Sequence, residues 1–189
     1  MLRSASDGDW TAGVPELDFT VVGVIAHAAE CCLWYAIDLA AGGVDLTSVE
    51  HRVRTQGPAD AVVDTFETYA GIVAAVVDAS PPAARGFHPT GTADPSGFAA
   101  MACDEMLVHT HDAARGLGVD FEPSADLAAA VLGRLFPWVT TRGDPWRELQ
   151  WANGRISLDD RPRLSDWAWH CAPLDTWDGR VPTRPPRPA

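Results

Sequence analysis

The stretch from Asp94 to Gly118, DPSGFAAMACDEMLVHTHDAARGLG, decides the fold class. It opens on Asp then Pro, a side chain that caps a helix followed by one suited to its first turn. It closes on Gly116 and Gly118, either of which suits a helix stop. The predicted helix carries Glu105 and His109 near its middle. Four residues is just over one turn, so carboxylate and imidazole project from the same face. His111 lies about 200° from His109 around the helix and belongs to another face. Asp112, three residues after His109, can accept the second imidazole N–H and fix the ring.

Spacing alone does not make a site. With 26 acidic residues and six histidines in 189, chance yields roughly two acid/His pairs four apart, and two occur. The other, Asp166/His170, lies in a Trp-rich stretch between prolines with no helix signal. Context therefore favours Glu105/His109.

Further helices are predicted on both sides. One runs from Phe19 to Ala41, capped by Asp18 and stopped by Gly42 and Gly43, with Val22, Ile25, Ala26, Ala29, Leu33, Ala36 and Ala40 inward. A second spans Ala59 to Ala79 behind Pro58, along Val62, Phe66, Tyr69, Val73 and Val76 or Val77. A fourth covers Pro123 to Phe136, along Leu127, Val131, Leu132 and Leu135. A short one follows Asp144-Pro145 through Trp151 and ends at Asn153-Gly154. Only 44–56 has a weak strand signal. Residues 155–189, rich in Trp and Pro, are expected to wrap the body irregularly, with 180–189 a flexible tail. The expectation is an all-α helical bundle, one domain over 1–189.

Composition narrows the function. The net charge is −12, and the 14 basic residues are all Arg and scattered, which argues against nucleic acid or an anionic membrane as partner. Abundant Ala, Gly, Pro, Asp and Arg without Lys suggests a GC-rich genome. No apolar run is read as approaching the ~20 residues that span a bilayer, and the first ten residues lack a signal-peptide core, so a cytoplasmic location is expected. Cys31, Cys32, Cys103 and Cys171 show no CxxC spacing and are expected as free thiols, the first three as small hydrophobic residues in helices.

Ligands on separate bundle helices can converge in the core. His27, in the first long helix, is the candidate third ligand beside Glu105 and His109. Glu30 and Cys31, one turn from His27, are alternatives. Two imidazoles and a carboxylate leave coordination positions open and accept Zn²⁺, Ni²⁺ or Fe²⁺. His51 and His88 fall in predicted loops and are expected to face solvent. There is no nucleophile elbow, P-loop or dinucleotide fingerprint.

Five blocks, in order, carry a resemblance: Asp9-Trp10-Thr11; HAAECCLWY from His27 to Tyr35; GFAAM from Gly97 to Met101; EMLVHTHD from Glu105 to Asp112; and WANGR from Trp151 to Arg155. Through them the chain resembles the DinB-like superfamily, and within it the actinobacterial family with the metal-binding domain of mycothiol-dependent maleylpyruvate isomerase. The resemblance implies a four-helix bundle of up-down helices with a long crossover. It implies a divalent metal, usually zinc, held by His27, Glu105 and His109, and mycothiol or another small thiol as co-substrate for transfer to, or isomerisation of, a small electrophile. Arg155, the positive side chain of the WANGR block, is a candidate clamp for a carboxylate. Relatives carry a full helix before the block matching Asp9-Trp10, where only eight residues stand here. The expectation is either a truncated start or cover of the exposed face by the helix at 123–136 or a second copy in a homodimer. The separate C-terminal domain of the full isomerase is also lacking, which makes maleylpyruvate a doubtful substrate. Two other functions compete: a non-catalytic metal- or ligand-binding stress protein, and a metal-dependent hydrolase with Asp112 or His111 as base.

Overall fold

A computed structural model describes residues 1–183, and among them five α-helices and no strand. The helices are α1 (Val21–Ala41), α2 (Ala59–Ala79), α3 (Pro95–Leu117), α4 (Ala125–Leu135) and α5 (Pro145–Ala152), with 3₁₀ turns at Leu2–Ala5 and Leu174–Thr176. The all-α expectation holds. The tail expected over 180–189 lies outside the described residues from 184 onward.

The helix ends follow local chemistry. Asp94 caps α3 by accepting from the Gly97 N–H at 3.0 Å, Pro95 occupies the first turn, and Gly118 ends the helix in the left-handed region at φ 66°. The start of α1 differs from expectation. Thr20, not Asp18, is the cap, its hydroxyl accepting from Gly23 N–H at 3.2 Å. The preceding turn is instead tied back by backbone bonds from Val21 to Ala12 and from Val22 to Trp10. The weak strand signal at 44–56 gives extended chain without strand pairing, and Pro123 and Phe136 fall just outside α4.

Helix α1 is the centre of the bundle, packed on both α2 and α3; α4 lies on α3, and α5 on α4. This placement explains two departures from the predicted faces. Contact on two sides buries Val21, Val24, Ala28, Cys32 and Tyr35 as well as the expected stripe, while Leu33 is half-buried and Ala40 exposed. It also makes α1 long and apolar enough, by length and composition, to cross a membrane, contrary to the expectation of no such run; most of it is buried inside the bundle. On α4, Ala128 packs inward and Leu127 is exposed. The buried apolar residues form one cluster extending from Leu2 to Cys171.

The segment after α5 has no ladder to satisfy its backbone. One guanidinium does much of that work. Arg134, near the end of α4, donates to the carbonyls of His170 (3.0 Å), Cys171 (3.1 Å) and Ala172 (3.0 Å), to the Ser96 hydroxyl (2.9 Å), and to the Asp94 carboxylate that caps α3. Gly97 lets this segment close in: a Cβ there would stand 2.1 Å from the Cys171 carbonyl oxygen. Replacing Arg134 with Ala leaves several buried acceptors unpaired. The expected loss is on the order of 3 kcal/mol, read as a drop of roughly 6–12 °C in the thermal midpoint; a drop below about 2 °C would show that the segment is held by other means.

Candidate metal centre

Glu105 and His109 project from α3 toward His27 on α1. Glu105 Oε2 and His109 Nε2 are 2.8 Å apart, and the rings of His27 and His109 meet edge to face at 5.1 Å between centroids. His27, Cys31 and Glu105 offer ligand atoms that all lie within 4.8 Å of one another, and the Cys31 sulfur is 3.6 Å from His27 Nε2. The group whose ligand atoms meet this closely is thus His27, Glu105 and Cys31, the alternative one turn along α1, while His109, the third expected ligand, adjoins it through Glu105. Glu30, the other alternative, turns away: its carboxylate accepts from Val53 N–H at 2.7 Å and lies 3.7 Å from the Arg52 guanidinium.

Each inner side chain has a partner behind it. The Tyr35 hydroxyl donates to Glu105 Oε1 at 3.0 Å, leaving Oε2 toward His109. His109 Nδ1 donates to Asp112 Oδ2 at 3.0 Å, which directs Nε2 at the centre. Asp112 is fully buried and clasped by Arg155 through Nε (3.2 Å to each oxygen) and Nη2 (2.9 Å). The expected role of Asp112 as the partner of the second imidazole nitrogen matches this geometry. Arg155 departs from its expected place as a free clamp: two of its nitrogens are committed to Asp112, and a third donates to the Asn153 carbonyl at 3.3 Å. It still lines the cavity.

Protonation follows from these contacts. Burial opposes charge on both Glu105 and His109, but their mutual contact and the Asp112 bond outweigh it, holding Glu105 down at about 2 and His109 up at about 9. Burial pushes His27 below its ordinary value, against the pull of Glu105, so it is neutral and able to ligate. Asp112 stays below the usual carboxylate range, because bonds from His109 and Arg155 exceed the cost of burial. Burial pushes the Cys31 thiol up, reinforced by Glu105.

These groups open on a cavity of about 380 Å³ lined by Phe19, His27, Glu105, His109 and Arg155, with Asp104, Asn153, Trp167 and Trp169 completing the wall. Asp104 was not legible as a site residue in the sequence. It is fully buried, accepts from Asn153 Nδ2 at 2.9 Å and Trp169 Nε1 at 3.0 Å, and burial lifts its carboxyl to about 7. Its position next to Glu105 was the available signal, but adjacent helical residues point about 100° apart.

No family model, curated protein or solved structure matches the chain. The site's meaning therefore rests on its own chemistry.

The remaining histidines lie elsewhere. His111 packs edge-on against Trp146, with Nε2 2.8 Å from Gln150 Nε2, outside the cavity as expected. His170 is not on a helix, so the Asp166/His170 spacing marks no shared face. Two expectations are corrected. His88 is buried between Tyr35 and Trp169, with Nδ1 2.7 Å from the Thr90 hydroxyl. His51 is half-buried against Trp34, its Nε2 3.1 Å from the Glu30 carbonyl. Both are in loops, but aromatic side chains from α1 cover them. All four cysteines are free, with Cys31 and Cys103 half-buried rather than buried.

In the metal-free protein the Glu105–His109–Asp112 cluster sets a pH window. His109, raised from 6.5 to about 9, contributes stability that is full below pH 6.5 and lost as pH rises through 9. Glu105, lowered from 4.5 to about 2, contributes stability that is full above pH 4.5 and lost as pH falls through 2. Chelator-treated protein is expected to melt highest between about pH 4.5 and 6.5, and Glu105→Gln to flatten the decline on both sides. A wild-type profile without an alkaline decline would contradict the assigned charges.

Proposed function

We propose that the chain is a divalent-metal protein of the DinB-like type, holding a metal, most simply zinc, through His27, Glu105 and His109, and acting on a small electrophile with a low-molecular-weight thiol such as mycothiol. The single observation that carries this reading is the backed donor set. Two imidazoles and a carboxylate converge at a cavity, and two of the three are fixed from behind, by Tyr35 and by Asp112–Arg155. Such outer partners orient metal ligands and raise their basicity. The ordered blocks from Asp9 to Arg155 support the family assignment.

When bound, a metal of this kind supplies Lewis acidity that makes a thiol beside it far more acidic. The protein's own contribution is positional. Tyr35 holds one oxygen of Glu105, so the other serves the centre. Asp112 fixes the His109 tautomer. Trp167, Trp169 and Phe19 narrow the cavity and limit water. Arg155 has N–H groups beyond those committed to Asp112, and these can steady an anionic group in the cavity. Cytoplasmic chemistry fits four free thiols.

One observation favours a second reading, a closed metal site without turnover. Two ligand atoms at about 2.1 and 2.3 Å from a tetrahedral zinc lie about 3.6 Å apart, which matches His27 Nε2 and Cys31 Sγ. Cys31 would then fill the position a thiol co-substrate needs. Neither Asp112 nor His111, the bases expected for the hydrolase reading, lines the cavity.

The purified protein is expected to bind about one equivalent of zinc or cobalt, and His109→Ala to lose it; full metal content in that variant would remove the site. Asp112→Asn should weaken metal binding by about 10- to 100-fold, measured by chelator competition. In cobalt-loaded protein, a thiolate charge-transfer band that appears only on adding thiol supports the open site. A band present without added thiol and abolished by Cys31→Ser supports the closed one.

A further inference from the structure

A second cavity, of about 360 Å³, is lined by Cys31 and Tyr35, which also border the candidate metal centre. Helix α1 lines it with Trp34, Tyr35 and Asp38, and the two loops with Asp45, Leu46, Phe87 and His88. Its size suits a small molecule. Its chemistry is one-sided: aromatic faces, two carboxylates, and no Arg among the lining residues. Asp38 is 8% exposed, yet its carboxylate has no hydrogen-bond or ion-pair partner among the described residues. Its oxygens still reach the solvent of the cavity, but burial of the residue makes its charge costly and raises its carboxyl. Asp45, close enough to push Asp38 further from ionising, adds to that cost rather than relieving it. A hard metal ion would need six or more oxygen ligands, which this lining does not supply. Aromatic faces with a carboxylate at one end are instead what an ammonium group on an apolar body requires.

We propose that this cavity binds a small organic ammonium ion, with Asp38 as the counter-charge, Asp45 at the mouth, and Trp34, Tyr35 and Phe87 around the apolar part. It stands apart from the metal reading, because none of Trp34, Asp38, Asp45 and Phe87 belongs to the metal centre. The two sites still share a wall: Tyr35, which a ligand here would touch, donates to Glu105.

Calorimetric titration of the full chain with phenethylammonium, with 2-phenylethanol as its neutral counterpart and with Mg²⁺ alone tests this. Saturable binding of the ammonium ion is expected, with the alcohol at least about tenfold weaker and Mg²⁺ not competing. Asp38→Asn should weaken the ammonium ion by about tenfold or more and leave the alcohol unchanged. The exposed Asp45→Asn, which carries little folding risk, should weaken it by about two- to threefold at low salt. Chelator-treated protein should bind equally well. Equal affinity for alcohol and ammonium, no saturation up to about 10 mM, displacement by Mg²⁺, or loss of binding on chelation would each overturn the proposal.

Discussion

The buried ion pair between Asp112 and Arg155 is the interaction on which the site depends. Asp112 has no exposure to solvent, so its charge is tolerable only because Arg155 and His109 both donate to it. Removing either leaves the buried carboxylate with a single partner, a loss larger than that of a surface pair. The pair also joins distant parts of the chain. Arg155 follows α5, Asp112 belongs to α3, and His109 carries the connection to Glu105 and, through Tyr35, to α1. Fold and site are thus stabilised by the same contacts. A mutation in this chain of side chains would alter the pH behaviour of the protein and the geometry of the candidate ligands together.

A buried carboxylate and two imidazoles also make opposite demands with and without a cation. Without one, His109 takes a proton to neutralise Glu105 and Asp112, and the arrangement is a proton-filled ion-pair network. Loading a divalent ion at neutral pH then requires that proton to leave, so uptake is coupled to proton release. The 2.8 Å contact between Glu105 and His109 is compatible with a proton held between them.

Much of this was legible in the sequence where a local rule governs. Helix α2 begins and ends as predicted because Pro58 and the Pro81-Pro82 pair leave no alternative, and α3 because Asp94, Pro95 and Gly118 each carry a capping signal. The Glu105–His109–Asp112 triplet was readable from helical spacing once the capped, Gly-terminated helix around it was recognised. Tertiary packing hid the rest. Asp104 looked like an ordinary acid until Asn153 and Trp169, 49 and 65 residues away, were placed against it. His88 looked exposed because a loop between Gly and Pro carries no sign that Tyr35 and Trp169 will close over it. Cys31 was legible as a core thiol and, one turn from His27, as an alternative ligand, but nothing local shows that its neighbour across the bundle is a carboxylate.

The attachment at Arg134 has a consequence for access to the cavity. Three consecutive carbonyls share one guanidinium, so they are paired together and released together. The chain that precedes them carries Trp167 and Trp169, which wall the cavity. Loosening Arg134 would therefore release the carbonyls of residues 170–172 at one stroke and leave Trp169 held to the wall by its bond to Asp104. A residue on α4 that does not line the cavity thus helps to place the wall of a site built from α1 and α3.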